Sequence, residues 1–132
     1  MAQQVKGEFD VKRTPEGGVD LGGGVAAGHF RFDKVFHGPL DATGVVHMLA
    51  VATAVDGSAG YVAVERIDGT LDGRRGSFLT QHNRILDRGK PSLTLTVVPD
   101  SGTGELEGLR GRMAIGIVGG KHYYTLEYTL GL

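Results

Sequence analysis

The stretch that most constrains the fold runs from Ala59 to His82, AGYVAVERIDGTLDGRRGSFLTQH. It reads as two strands joined by a glycine-marked turn, with an acid–base cluster in its middle. Successive side chains of a strand point to opposite sides. Tyr61, Ala63, Glu65, Ile67 and Gly69 therefore share one face, and Val62, Val64, Arg66 and Asp68 the other. Neither face has the regular polar spacing of a wet surface, so both are expected to be at least half buried. Glu65 is the odd residue, a carboxylate in an otherwise apolar run beside Tyr61 and Ile67. Asp72 to Gly76 supplies the turn, because Asp-Gly and a further Gly accept positive φ. Ser77 to His82 returns beside the first arm. With Leu71 opposite Ser77 or Phe78, Glu65 comes within about a residue of His82. A slip of one residue would bring Gln81 or Asn83 to that face instead.

The rest of the chain repeats this grammar. Val5, Gly7, Phe9 and Val11 alternate with Lys6, Glu8, Asp10 and Lys12, a strand with one dry face. Thr14 to Gly24 has the composition of a loop. His29 to His37 is a second strand with Phe30, Phe32 and Phe36 on one face, and Ala42 to Val55 a third. Arg84 to Lys90 is polar and reads as a loop. Pro91 to Val98, Arg112 to Val118 and His122 to Leu130 are the sixth, seventh and eighth strands, the last with Tyr124, Leu126 and Tyr128 inward. No stretch shows a capped 3.6-residue apolar period. The 23 glycines in 132 residues mark turns and bulges of an all-β chain. Eight sequential antiparallel strands are predicted to close into one barrel over residues 1–132, since closure removes both exposed edges. This is the size class of calycins and lipocalins, whose interior is filled by side chains or holds one small ligand. A β-sandwich is the alternative.

Composition narrows the function classes. A net charge of -1 offers no electrostatic footprint for nucleic acid or an anionic membrane surface. No run approaches the ~20 apolar residues of a membrane helix, and the N-terminus has no apolar signal core. The absence of cysteine excludes thiol chemistry and fits a reducing, cytoplasmic setting.

The candidate chemistry is a lumenal acid–base pair: Glu65 with His82 or His47. Desolvation would raise a buried carboxyl's pKa and a nearby cation would lower it, and either tuning suits proton transfer. The competing reading is a buried ion pair or hydrogen-bonded histidine that only holds the hairpin. A metal site would need three convergent ligands; the sequence has neither His-x-His nor His-Glu-x-x-His, so no metal or other cofactor is expected. Tyr61, Phe32, Phe78, Gln81, Tyr124 and Tyr128 are the expected ligand contacts, because in a small barrel the aromatic core is also the pocket wall. Gly102 to Gly108 lacks dinucleotide-binding spacing and reads as turn chemistry. Ser77 and Ser101 lack a nucleophile elbow.

Three segments carry a family resemblance: Val64-Glu65-Arg66 followed by Gly69-Thr70-Leu71; Gly73-Arg74-Arg75-Gly76-Ser77-Phe78 followed by Gln81-His82; and Val97 to Leu106 followed by Gly108-Leu109-Arg110-Gly111. In combination they resemble the DUF3224 family of bacterial proteins. The resemblance implies an allene-oxide-cyclase-like eight-stranded barrel and no established activity. Three functions follow as expectations: a barrel that binds a small, largely apolar organic molecule; a cyclase or isomerase using the Glu/His pair; or a solid barrel that forms a homodimer or homotrimer through outer residues such as Val62 and Val64.

Overall fold

The computed structural model describes residues 2–131, so Met1 and Leu132, the ends of the expected span, lie outside the described residues. Eight strands follow in order: β1 (Gln3–Gly22), β2 (Val25–His37), β3 (Leu40–Ala52), β4 (Ala59–Leu71), β5 (Arg74–Asp87), β6 (Lys90–Val97), β7 (Arg110–Val118) and β8 (Lys121–Thr129). Sequential neighbours pair antiparallel, and β1 also pairs with β8, from Gln3 opposite Tyr128 to Phe9 opposite His122. That last ladder closes the barrel and excludes the sandwich. Among the described residues, no helix is long and apolar enough to cross a membrane.

The turn in the central hairpin is tighter than the sequence indicates. Only Asp72 and Gly73 form it, both at positive φ (50° and 80°), as a two-residue type I′ connection requires. Leu71 consequently faces Arg74, not Ser77 or Phe78. Arg74, Arg75 and Gly76 belong to β5. This register sets Glu65 opposite Thr80 and Ala63 opposite His82.

Two expected loops are strands. Thr14 to Gly22 continues β1: Thr14 and Pro15 pair with Arg31 and Phe30, a register shift follows, and Gly18 to Asp20 pair with Gly28 to Ala26. Gly17, at φ 96°, takes up the extra length as a bulge. The pairing of β1 with β8 ends at Phe9, so Pro15 stands in an edge strand, where proline is tolerated. Arg84 to Asp87 likewise continues β5. Its backbone is laddered on one side to Tyr61, Gly60 and Ala59 and on the other to Leu93, Ser92 and Pro91. Pairing with two neighbours overrides the polar composition, and the turn falls at Arg88-Gly89.

The barrel is packed at one end. Phe36, Leu40, Ile67, Leu71, Phe78 and Leu126 are all buried there; full burial of side chains of this size stabilises by about 1.5–3 kcal/mol each. The glycine-rich connection after β6 caps this end. A three-residue 3-10 turn, Gly104–Leu106, inserts Leu106, and Leu109 follows it, both buried. The same connection extends the ladder of β5 beyond the end of β6: Ser77 N–H donates to Thr103 Oγ1 at 3.0 Å and Leu79 N–H to Ser101 Oγ at 3.0 Å. Gly76 permits this approach, since a Cβ there would lie 2.1 Å from the Thr103 carbonyl oxygen. The opposite end is open. The outer face of β4 is not half buried as its apolar residues imply: Val62 and Val64 are 56% and 54% exposed.

Candidate functional site

The lumen is built in layers, each a pair of facing residues on β4 and β5, about 7 Å apart because two residues of strand advance that far. From the open mouth inward the pairs are Tyr61–Arg84, Ala63–His82 and Glu65–Thr80, with Ile67–Phe78 below them in the packed end.

The third layer holds the buried charge. Glu65 has no exposure and His82 is 3% exposed. His82 Nε2–H donates to Glu65 Oε1 at 2.9 Å, and the Thr80 hydroxyl donates to the same oxygen at 3.2 Å. Glu65 Oε2 has no hydrogen-bond partner among the described residues. The Lys34 ammonium lies 3.5 Å from it and forms a buried ion pair. Lys34 Nζ also sits 5.0 Å from the Phe9 ring centroid and 5.8 Å from that of Phe36, two π-faces that favour a cation. Burial pushes the Glu65 carboxyl pKa up and is the largest single influence. The His82 hydrogen bond, the positive charge of Lys34, the electrostatic attraction of the His82 ring and the Thr80 hydroxyl together outweigh it, and the carboxyl is held below the ordinary carboxylate value.

Because the carboxylate only accepts, the proton it receives is on His82 Nε2. In the neutral imidazole this leaves the Nδ1 lone pair without a protein partner among the described residues. A carboxylate-oriented imidazole with a free ring nitrogen is the chemical arrangement of a proton acceptor.

Above this cluster, at the mouth, lies a cavity of about 360 Å³ walled by Phe30, Ala50, Tyr61, Leu86 and the backbone of Gly28 and Gly60, with Arg84 at its side. A second hollow, about 720 Å³, lies at the seam of β6 and β7, where only Thr96 and Arg112 pair. Its walls combine exposed outer-face residues such as Thr96, Arg112 and Glu127 with the lumen-facing Leu95, Met113 and Tyr128. The more uniformly apolar lining is at the mouth.

The expected site residues separate accordingly. Glu65 and His82 meet, though diagonally, not as direct partners. His47 does not join them. It faces outward opposite Val64, and its Nδ1 lies 2.8 Å from His29 Nε2 on the barrel exterior. The strand alternation that turns Val46 inward turns His47 out. Gln81 also faces outward, between the inward Thr80 and His82. Tyr61 lines the cavity. Phe32 is half buried on the lumenal side but does not line it.

Phe78, Tyr124 and Tyr128 are fixtures of the packed end. The Tyr124 hydroxyl donates to the His37 carbonyl at 2.9 Å and accepts from the Leu40 N–H at 3.1 Å. The Tyr128 hydroxyl donates to the Asp72 carboxylate. Burial together with that bond pushes its pKa up to about 12.

Lys34, Thr80 and Arg84 are residues of the candidate site that sequence reading passes over. The signal for Lys34 was present: it shares strand parity with Phe30, Phe32 and Phe36. Thr80 shares parity with His82. Arg84 does too, but only once β5 is known to continue past His82. Among the described residues, no three His, Asp or Glu side chains converge as metal ligands.

A closed eight-stranded barrel, packed at one end and hollow at the other, with a compensated Lys–Glu–His cluster between, defines a small single-lumen β-barrel protein. The chain belongs to the DUF3224 family, described as "Protein of unknown function (DUF3224)", whose sequence profile matches residues 5–128. A solved structure described as a protein with unknown function from the DUF3224 family, from Shewanella oneidensis MR-1, is similar over 100% of both chains, at 47% identity and a TM-score of 0.94. The comparison with curated proteins found no match.

Proposed function

We propose that the protein binds a small, largely apolar organic molecule in the mouth of its barrel. The observation that carries this reading is the cavity of about 360 Å³ walled by Phe30, Ala50, Tyr61 and Leu86. Its volume falls in the ~300–1,000 Å³ range of small-molecule sites, and apolar and aromatic walls with few polar groups are their usual chemistry. The packed end supplies rigidity, so the walls stand preformed and little ordering is required on binding. The test is titration with Nile red, a neutral apolar dye whose fluorescence rises on leaving water. Saturable binding to the native protein that is lost in Ala50→Trp, which fills the cavity, supports the reading. Equal binding by both proteins refutes it.

A second reading adds chemistry to the same site. His82 lies one layer beneath the cavity, its Nε2–H anchored on Glu65. The free Nδ1 would accept a proton from a bound molecule and return it elsewhere, an isomerisation or cyclisation with no net redox change. Solvent extraction of the purified protein, followed by incubation of the extract with wild-type and His82→Gln protein, tests it. A change in isomer composition with wild type alone supports catalysis; identical composition in both leaves a binding protein.

A further inference from the structure

Among the described residues, Arg84 is the one charged residue in the cavity wall; its side chain is exposed, and it has no carboxylate partner. The described carboxylates form ion pairs with Arg31, Lys34, His37, Arg66, Arg75, His82 and Lys121, and none with Arg84. Arg84 follows His82 on the lumenal face of β5, opposite Tyr61 on β4 and Leu93 on β6. A second guanidinium without a carboxylate partner, Arg13, lies 4.2 Å from the centroid of Phe30, which forms part of the cavity wall. The nearest lumenal carboxylate, Glu65, lies two layers deeper and is already engaged by Lys34 and His82.

We propose that the ligand is an organic acid with an apolar body, its carboxylate held by Arg84 and its body against Phe30, Ala50, Tyr61 and Leu86. The proposal rests on the binding reading above and names the head group that reading leaves open. A guanidinium presents parallel N–H donors that match a carboxylate bidentately. Apolar walls strengthen that interaction by excluding water from one side of it. The Arg13 charge, on the β1–β2 side of the mouth, adds to the positive potential that an anion meets on entering.

Competition against Nile red by decanoate and by 1-decanol, which share a tail and differ in the charged head, tests the assignment. The wild-type protein is expected to bind decanoate about tenfold or more tightly than 1-decanol, a difference of about 1.4 kcal/mol. Arg84→Met is expected to lose that preference while keeping its affinity for 1-decanol. Raising salt from about 0.05 M to about 0.5 M is expected to weaken decanoate binding alone. Should Arg84→Met fail to fold, the wild-type preference and its salt dependence still decide. Equal affinities in wild type, or a preference that persists undiminished in Arg84→Met, would overturn the head-group assignment and leave the apolar binding reading standing. Failure of both probes to displace Nile red would overturn the two together.

Discussion

Glu65 Oε1 accepts a hydrogen bond from His82 Nε2 at 2.9 Å, although the two residues are not backbone partners: Glu65 faces Thr80, and His82 faces Ala63. The contact is a diagonal across one face of the β4–β5 ladder, within reach of long side chains. It ties the two strands beneath the cavity and, through Lys34, ties both to β2.

Breaking this cluster at one point should be costly. Glu65→Ala leaves Lys34 and His82 buried without their acceptor, and a loss of about 3–5 kcal/mol is expected. Replacing all three together, Lys34→Met, Glu65→Leu and His82→Phe, should recover most of that loss, because no uncompensated charge remains. Urea denaturation measures both. A Glu65→Ala protein within about 1 kcal/mol of wild type would show that the carboxylate contributes little to holding the barrel.

The same carboxylate sets an acid limit. Its folded pKa lies below the ordinary value, so the unfolded chain takes up the proton first as pH falls. The stabilisation is complete above the unfolded pKa of about 4.3 and is lost as pH drops through the folded pKa. Wild type should therefore lose stability more steeply than Glu65→Gln below about pH 4. Parallel pH profiles of the two would remove Glu65 from acid denaturation.

Gly44 makes room for the carboxylate. A Cβ at this position would lie 2.6 Å from Glu65 Oε2 and 3.1 Å from the Phe36 ring. Gly44→Ala should destabilise by about 1–3 kcal/mol through overpacking. In a Glu65→Ala background the penalty should fall substantially, a coupling that a double-mutant cycle reads directly. Additive penalties would place the clash on Phe36 alone.

At the packed end, the Tyr128 phenol should ionise near pH 12 because burial and the Asp72 carboxylate both favour its neutral form. The unfolded phenol ionises near 10, so the stability this pair contributes is present below about pH 10 and is lost as pH rises towards 12. Ultraviolet titration of wild type and Tyr128→Phe should differ by one late-ionising tyrosine. A difference appearing near pH 10 would contradict the contact.

The barrel was legible in the alternation of β1 and β8 and in the turn residues between strands, because period-two burial and positive-φ turns are local properties. The loop assignments for Thr14 to Gly24 and Arg84 to Lys90 failed for a shared reason. Both stretches are rich in turn formers and polar residues, yet each is held extended by backbone pairing to a neighbouring strand that local composition does not encode. That omission had a cost at the site: with β5 ended near His82, Arg84 was never placed on the lumenal face. His47 and Gln81 illustrate the converse. Their neighbours made them look lumenal, but strand parity places both outside. Glu65 and His82 came together despite an incorrect turn register, because moving Leu71's partner from Phe78 to Arg74 is a shift of four residues, and an even shift conserves the face that an odd one, from Ser77, would have exchanged.

The most direct test of mouth binding is a map of amide chemical-shift changes on adding 1-decanol, an uncharged probe that isolates apolar binding from any head-group preference. Changes concentrated at Phe30, Ala50, Gly60, Tyr61 and Leu86, saturating together and absent in Ala50→Trp, are the predicted result. Changes centred on the β6–β7 seam around Thr96 and Arg112, or no saturable change at the mouth, would contradict it.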